Sequence, residues 1–307
     1  MRNFIISCLI ALVSFGIGFY FGLSIWAGIP TGMLGFGVSY FILARSSMNK
    51  LQTLIQTSTD ELQRIQNTPD PQIQLKTLDT TIEKLSVGFN IAKEQFLIET
   101  LLHSQIGMLH YQGALVISQM RLREELSRNT TKVAKYNKQL KSRFSAAREH
   151  LEKASAYDIQ TTLTRNWMAA GMLACLDVRD KNNDKAIERL KKVQGPGGTD
   201  PIYWALLAWI QHEKGDPAEA MLTLSSGLDK NQGNAPLKGM AEAVQNKKTI
   251  DMSLFGQQWF LFFPEHLTVD VAMRLQSQMA EGPDTSNMNR KQRRAIERQS
   301  RKANKGS

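Results

Sequence analysis

Five histidines, two cysteines and one glycine-rich loop are the residues of this 307-residue chain whose types invite chemistry. His103, His110, His150, His212 and His266 never pair at the H-x-x-x-H spacing that puts two imidazoles side by side on a helix. No C-x-x-C occurs either, so a zinc site has no scaffold in the sequence. His103 and His110 lie seven residues apart, share one helix face and read as core or groove polar residues rather than ligands. Gly195-Pro196-Gly197-Gly198 lacks the Gly-Lys-Ser/Thr that would neutralise a phosphate, and reads as a loop. Ser47-Met48-Asn49-Lys50 fits S-x-x-K, but the rest of that acyl-transfer set is missing. The acids are spread along helical segments, as on solvated faces. No catalytic residue, metal or cofactor is expected, and the chain reads as a protein that is not an enzyme.

The elements that position these residues begin with an uncharged run. From Phe4 to Ala44 there is no Asp, Glu, Lys or Arg. As helix the run would extend about 60 Å, roughly twice the hydrocarbon core of a bilayer. Ala27-Gly28-Ile29-Pro30-Thr31-Gly32 interrupts it. The expectation is a transmembrane hairpin over residues 1–45, with spans from about Phe4 to Trp26 and from about Ile29 to Ala44. A single kinked span is the alternative, and a cleaved signal peptide would need a shorter run and an A-x-A-like site. Arg2, Arg45 and Lys50 flank the run and its turn is uncharged, which favours both termini in the cytoplasm of a bacterial-type inner membrane. Ser14, Gly18 and Gly22 line one face of the first span, Gly35 and Ser39 one face of the second. Such faces serve packing within the hairpin or oligomer formation through it. Cys8 lies in the first span and Cys175 on a later helix, a poor disulfide pair that suits a reducing compartment.

Beyond the run the pattern is all-α. Leu51, Leu54, Ile55, Leu62 and Ile65 recur at helical spacing in a juxtamembrane segment, residues 46–69, that Thr68-Pro69-Asp70-Pro71 ends. Residues 70–160 read as long helices, over about 72–86, 89–128 and 131–156, the last with a Lys- and Arg-rich outer face. Residues 161–249 read as helix pairs, 161–179 with 184–194 and 201–214 with 217–230, followed by a cap at 235–245. Residues 250–283 hold an aromatic stretch around Trp259 and a final helix over about 269–280. The aromatic stretch has three readings: closure of the core, a partner-docking patch, or contact with the bilayer interface.

The pairs repeat. A shift of 34 residues places Ala186 on Ala220, Ala170 on Trp204, Leu173 on Leu207, Ala174 on Ala208 and Leu190 on Leu224. With Gly215 and Gly227, these residues carry a resemblance to the tetratricopeptide-repeat family. Gln211, where the family carries an aromatic, and Lys181, in place of its turn glycine, depart from the pattern. Leu151 and Ala154 suggest a degenerate earlier copy. The resemblance implies a TPR-like α-solenoid that binds a protein partner in a concave groove lined by the first helix of each pair. Candidate groove positions are Arg165, Asn166, Tyr203, Trp209 and Gln211. The expected function is a membrane-anchored cytoplasmic interaction scaffold, with a structural subunit of a larger secretion, motility or envelope complex as the alternative.

The formal net charge is +10, and Arg290, Lys291, Arg293, Arg294, Arg298, Arg301, Lys302 and Lys305 against Glu297 place about +7 of it between residues 290 and 307, within a tail, residues 284–307. The composition of this tail suits disorder when free. Its partners would be anionic lipid, RNA or an acidic protein. The remainder is close to neutral, so its surface as a whole does not read as a nucleic-acid-binding face.

Overall fold

Three helices open on Asp-Pro in the computed structural model. The carboxylates of Asp70, Asp200 and Asp216 accept the backbone N–H of Gln72 at 2.8 Å, Ile202 at 3.2 Å and Glu219 at 3.1 Å. Pro71, Pro201 and Pro217 fill the first helical position, where no N–H is needed. The structure describes residues 2–20, 25–66, 70–92, 98–155, 167–268 and 271. Among these residues every regular element is helical. The longer helices are α1 (Arg2–Tyr20), α2 (Ile25–Gln66), α3 (Pro71–Val87), α4 (Ile98–Leu126) and α5 (Thr130–Ser155). They continue with α6 (Met168–Arg179), α7 (Asn183–Lys192), α8 (Pro201–Glu213), α9 (Pro217–Lys230) and α10 (Ala235–Gln245). The chain divides into two units, Met1–His266 and Leu267–Ser307. In the second, the described residues are 267, 268 and 271, so most of the expected final helix and the basic tail lie outside the described residues.

Helix α1 runs antiparallel to the first part of α2. Asn3 Nδ2 donates to Ser47 Oγ at 2.9 Å and to the Leu43 carbonyl at 3.3 Å, closing one end of the pair. At the other end the Phe15 ring lies against Gly28, and Gly32 meets the Ala11 carbonyl. This corrects the expected turn at residues 27–32. Gly28 and Gly32 are packing positions four residues apart, and Pro30 lies inside α2. So near the start of the helix, the proline removes one hydrogen bond close to an end that lacks partners anyway. The second apolar segment and the juxtamembrane segment are likewise one helix of 42 residues, about 63 Å long.

The latter part of α2 enters a core. Leu51 packs with Leu78 and Leu85 of α3 and with Ile98, Leu102 and Ile106 of α4. Helix α5 folds back along α4, with Leu140 against Ala114 and Ile117. Gly107 lets the axes approach so closely that a Cβ there would lie 2.7 Å from Leu151.

Two helix pairs follow, α6 with α7 and α8 with α9, and their turns match under the 34-residue shift. Asn182 N donates to the Asp177 carbonyl at 2.9 Å, as Asp216 N donates to the Gln211 carbonyl at 3.0 Å. Lys181 has φ 63°, in the left-handed region that Gly215 occupies at φ 93°. The lysine therefore adopts the conformation for which a glycine is suited. Leu173, Ala174, Ala186, Leu190, Trp204, Leu207, Ala208, Ala220, Leu224 and Gly227 are all buried. Gly227 is required by contact: a Cβ there would stand 2.8 Å from the Trp204 side chain.

Candidate functional site

Arg179, the last residue of α6, gathers three parts of the chain. Its Nε and Nη2 donate to the two carboxylate oxygens of Glu265 at 2.6 and 2.8 Å. Nη2 also donates to the Phe262 carbonyl at 2.9 Å, and Nη1 to the Tyr111 hydroxyl at 2.5 Å. Its guanidinium lies 4.1 Å from the centroid of the Phe144 ring. The Tyr111 hydroxyl donates onward to the Phe262 carbonyl at 2.5 Å. Burial alone disfavours charge on Arg179, but Tyr111 and Glu265 more than offset it and hold the guanidinium firmly protonated. Burial raises the Tyr111 hydroxyl well above the ordinary tyrosine range, although Arg179 acts against it. Burial likewise raises the Cys175 thiol, which leaves it without nucleophilic character at neutral pH.

Around this hub the aromatic segment closes over the first helices of both pairs. Phe262 stacks on Trp167 with ring centroids 5.5 Å apart, and Gly171 leaves room for both rings. Trp209 on α8 contacts Trp259 at 5.2 Å and Phe263 at 4.8 Å. Trp259, Phe260, Phe262 and Phe263 are buried, which resolves the three readings of this stretch in favour of core closure. The short turns that bring it there are opened by Asp251, whose carboxylate accepts Ser253 N at 3.0 Å, and redirected at Gly256, φ 55°.

The expected groove is corrected accordingly. Tyr203 is fully buried and donates its hydroxyl to the Leu190 carbonyl at 2.9 Å. Gln211 is 1% exposed, and its Nε2 and Oε1 find no partner among the described residues. Trp209 lies beneath the aromatic segment. Packing between layers claims these positions, so none of the three offers an open surface to a partner. Arg165 and Asn166 lie outside the described residues.

Two charged clusters were not foreseen. Asp177, 1% exposed, receives Arg148 Nη1 at 2.8 Å and Arg189 Nε at 2.6 Å, tying α5, α6 and α7 together. His150 joins His103 and His110, with the Nδ1 atoms of His103 and His150 2.9 Å apart, one donating and the other accepting. Arg143 Nη1 approaches His110 Nδ1 at 3.3 Å while Nη2 pairs with Asp79 at 2.5 Å. Burial is the first cause that lowers all three histidines; His150 and then Lys153 add to it at His103, Arg143 and then His150 at His110, which falls to about 4, and Lys153 at His150, where Glu149 acts against it. Among the described residues no group of three or more His, Cys, Asp or Glu side chains is arranged to hold a metal ion.

In the α1–α2 pair, a Cβ on Gly35 would stand 2.6 Å from Ser14 Oγ, and Gly18 is buried. Ser39 bonds within its own helix, to the Phe36 carbonyl at 3.1 Å. Gly22 lies outside the described residues, as do the eight basic residues of the tail. Phe4, Leu9, Leu12, Val13 and Phe19 of α1 are exposed, as are Met33, Leu34, Phe41 and Ile42 of α2. Among the described residues α1 is the one helix long and apolar enough to cross a membrane.

No protein-family model and no curated protein matches this chain.

Proposed function

We propose that this chain is a membrane-anchored interaction scaffold. The α1–α2 pair crosses an inner membrane twice, and the domain carrying TPR-like repeats lies with both termini in the cytoplasm. The observation that carries the reading is the exposed apolar surface of the pair, which has Phe, Leu, Val and Ile on the sides not packed together. In water such a surface would be costly; in lipid it is the ordinary outer face of a span. Helix α2 then continues from this surface into the domain core through Leu51, so the anchor holds the domain directly at the membrane. By the resemblance, the helix pairs bind protein, and anchoring raises the local concentration of whatever they capture. Because the aromatic segment covers Trp209 and Phe262 covers Trp167, the partner surface belongs to the uncovered sides of the pairs.

Alkaline extraction of membranes containing the full chain tests the anchor: retention in the pellet is expected, and release to the supernatant overturns it. Photo-crosslinkers placed on exposed positions of α7 and α9 test the scaffold. A stoichiometric protein adduct supports it, and adducts to lipid or to nothing contradict it.

The assembly-subunit reading is favoured by one observation. Gly16 and Gly37 face open space, so their bare backbones are available to a neighbouring helix. Gly16→Leu with Gly37→Leu would dissolve a membrane complex under that reading and leave partner capture intact under the first.

A further inference from the structure

The near-neutral charge of the chain outside its tail conceals a strong segregation. Between Arg121 and Arg143 there are eight basic residues and two acids, a net +6, all on the end of the α4–α5 hairpin. Lys132 pairs with Glu124 at 2.9 Å and Arg143 with Asp79. Arg123, Arg128, Lys135, Lys138 and Lys141 are exposed, and among the described residues none of them has an ion-pair partner. The hairpin keeps them together because its inner face is occupied. Leu140 packs on Ala114 and Ile117, which leaves the lysines on the outside.

The geometry points to this hairpin end as a binding surface for a nucleic-acid backbone. Successive lysines at 135, 138 and 141 rise about 4.5 Å per step along α5, a spacing that a flexible phosphodiester chain can follow. A protein partner would need an apolar centre to its interface, and Leu126 is the one large exposed hydrophobic residue in this stretch. Phosphate binding needs no such centre, since release of condensed counterions drives it. The anchoring bilayer is the wrong polyanion on position. The Ile98 end of α4 packs on Leu51, beside the anchor, and the opposite end lies about 43 Å along a 29-residue helix. That last point rests on the anchored reading; the charge cluster does not.

The test uses the full chain in nanodiscs of phosphatidylcholine, with Arg293, Arg294, Arg298 and Arg301 all changed to Gln so that the tail contributes little. Binding of a fluorescent single-stranded RNA is titrated at several salt concentrations, with and without Lys135→Gln, Lys138→Gln and Lys141→Gln. The expected result is a loss of at least about tenfold in affinity and a fall of about 2 in the slope of log affinity against log salt. An unchanged affinity and slope overturns the proposal, as does absence of RNA binding before the lysines are changed. Tighter lysine-dependent binding to polyglutamate or to anionic vesicles also overturns it, in favour of those partners. Failure of the anchor would show separately, as protein that does not enter nanodiscs yet retains the lysine-dependent RNA binding.

Discussion

Asp177 and Gln211 occupy the same place in successive helix pairs, and both are 1% exposed, yet they meet opposite fates. The carboxylate of Asp177 is held by Arg148 and Arg189, whereas the amide of Gln211 is unpaired among the described residues. A buried amide without a partner costs about 1–3 kcal/mol. Gln211→Leu should therefore raise the stability of the detergent-solubilised protein by about 1 kcal/mol in a denaturant titration; a fall would show that the amide has a partner. Arg179→Met should act the other way, lowering stability by about 1–2 kcal/mol, because it leaves the half-buried Glu265 carboxylate without its partner and takes one donor from the Phe262 carbonyl. A loss under about 0.5 kcal/mol would contradict the hub. The histidine cluster sets a third expectation. Folded His110 titrates near 4 and the unfolded side chain near 6.5. As pH falls below 6.5 the unfolded chain takes up a proton that the folded one refuses, so stability declines until pH passes about 4. The ceiling for this one group is about 3 kcal/mol. Replacing His110 with Asn should reduce the pH dependence between 7 and 4.5, leaving the part due to His103 and His150, and an unchanged slope would contradict the shift.

At the scale of elements, the decisive contacts come where backbones touch. Ser14 meets Gly35 and Phe15 meets Gly28 between α1 and α2. Gly35→Ile should separate the helices, and a disulfide between cysteines placed at Asn3 and Ser47 should then form several-fold more slowly; an equal rate would show that the glycine does not set the approach. Much of this level was legible in the sequence. The small residues of the apolar run and the 34-residue register both act through local spacing, which a sequence displays. The exact place of the first turn was not legible, because Gly28, Pro30 and Gly32 look alike whether they break a helix or pack one. The histidine cluster was hidden for a related reason. In the antiparallel α4–α5 hairpin, His103 faces His150 and His110 faces Arg143, pairs whose numbers both sum to 253. That sum is set by the turn near residues 127–129, so the hairpin had to be assumed before the pairing could be read.

At the scale of the molecule, one long helix joins an apolar exposed pair to a buried core, and an aromatic segment seals the helix pairs beyond it. Tyr203 and Gln211 are buried and Trp209 is packed against the aromatic segment because long-range packing, not helix membership, decides which side of a helix is covered. Residues 259–263 return to Trp209 and Trp167, about 50 and 95 residues earlier, and no local pattern in either tryptophan records that return. The charge on the α4–α5 end was likewise diluted in the total and emerges only when the hairpin gathers it. The central claim is that the pair spans a membrane and holds all the rest on one side. Single cysteines at Ser24, which falls between α1 and α2 in the sequence, and at Lys135, exposed on α5, test it most directly in a Cys8→Ser, Cys175→Ser background. With a membrane-impermeant thiol reagent on intact spheroplasts, the account predicts labelling at residue 24 alone, with residue 135 reacting after permeabilisation. Labelling of residue 135 from outside, or protection of residue 24, would contradict it.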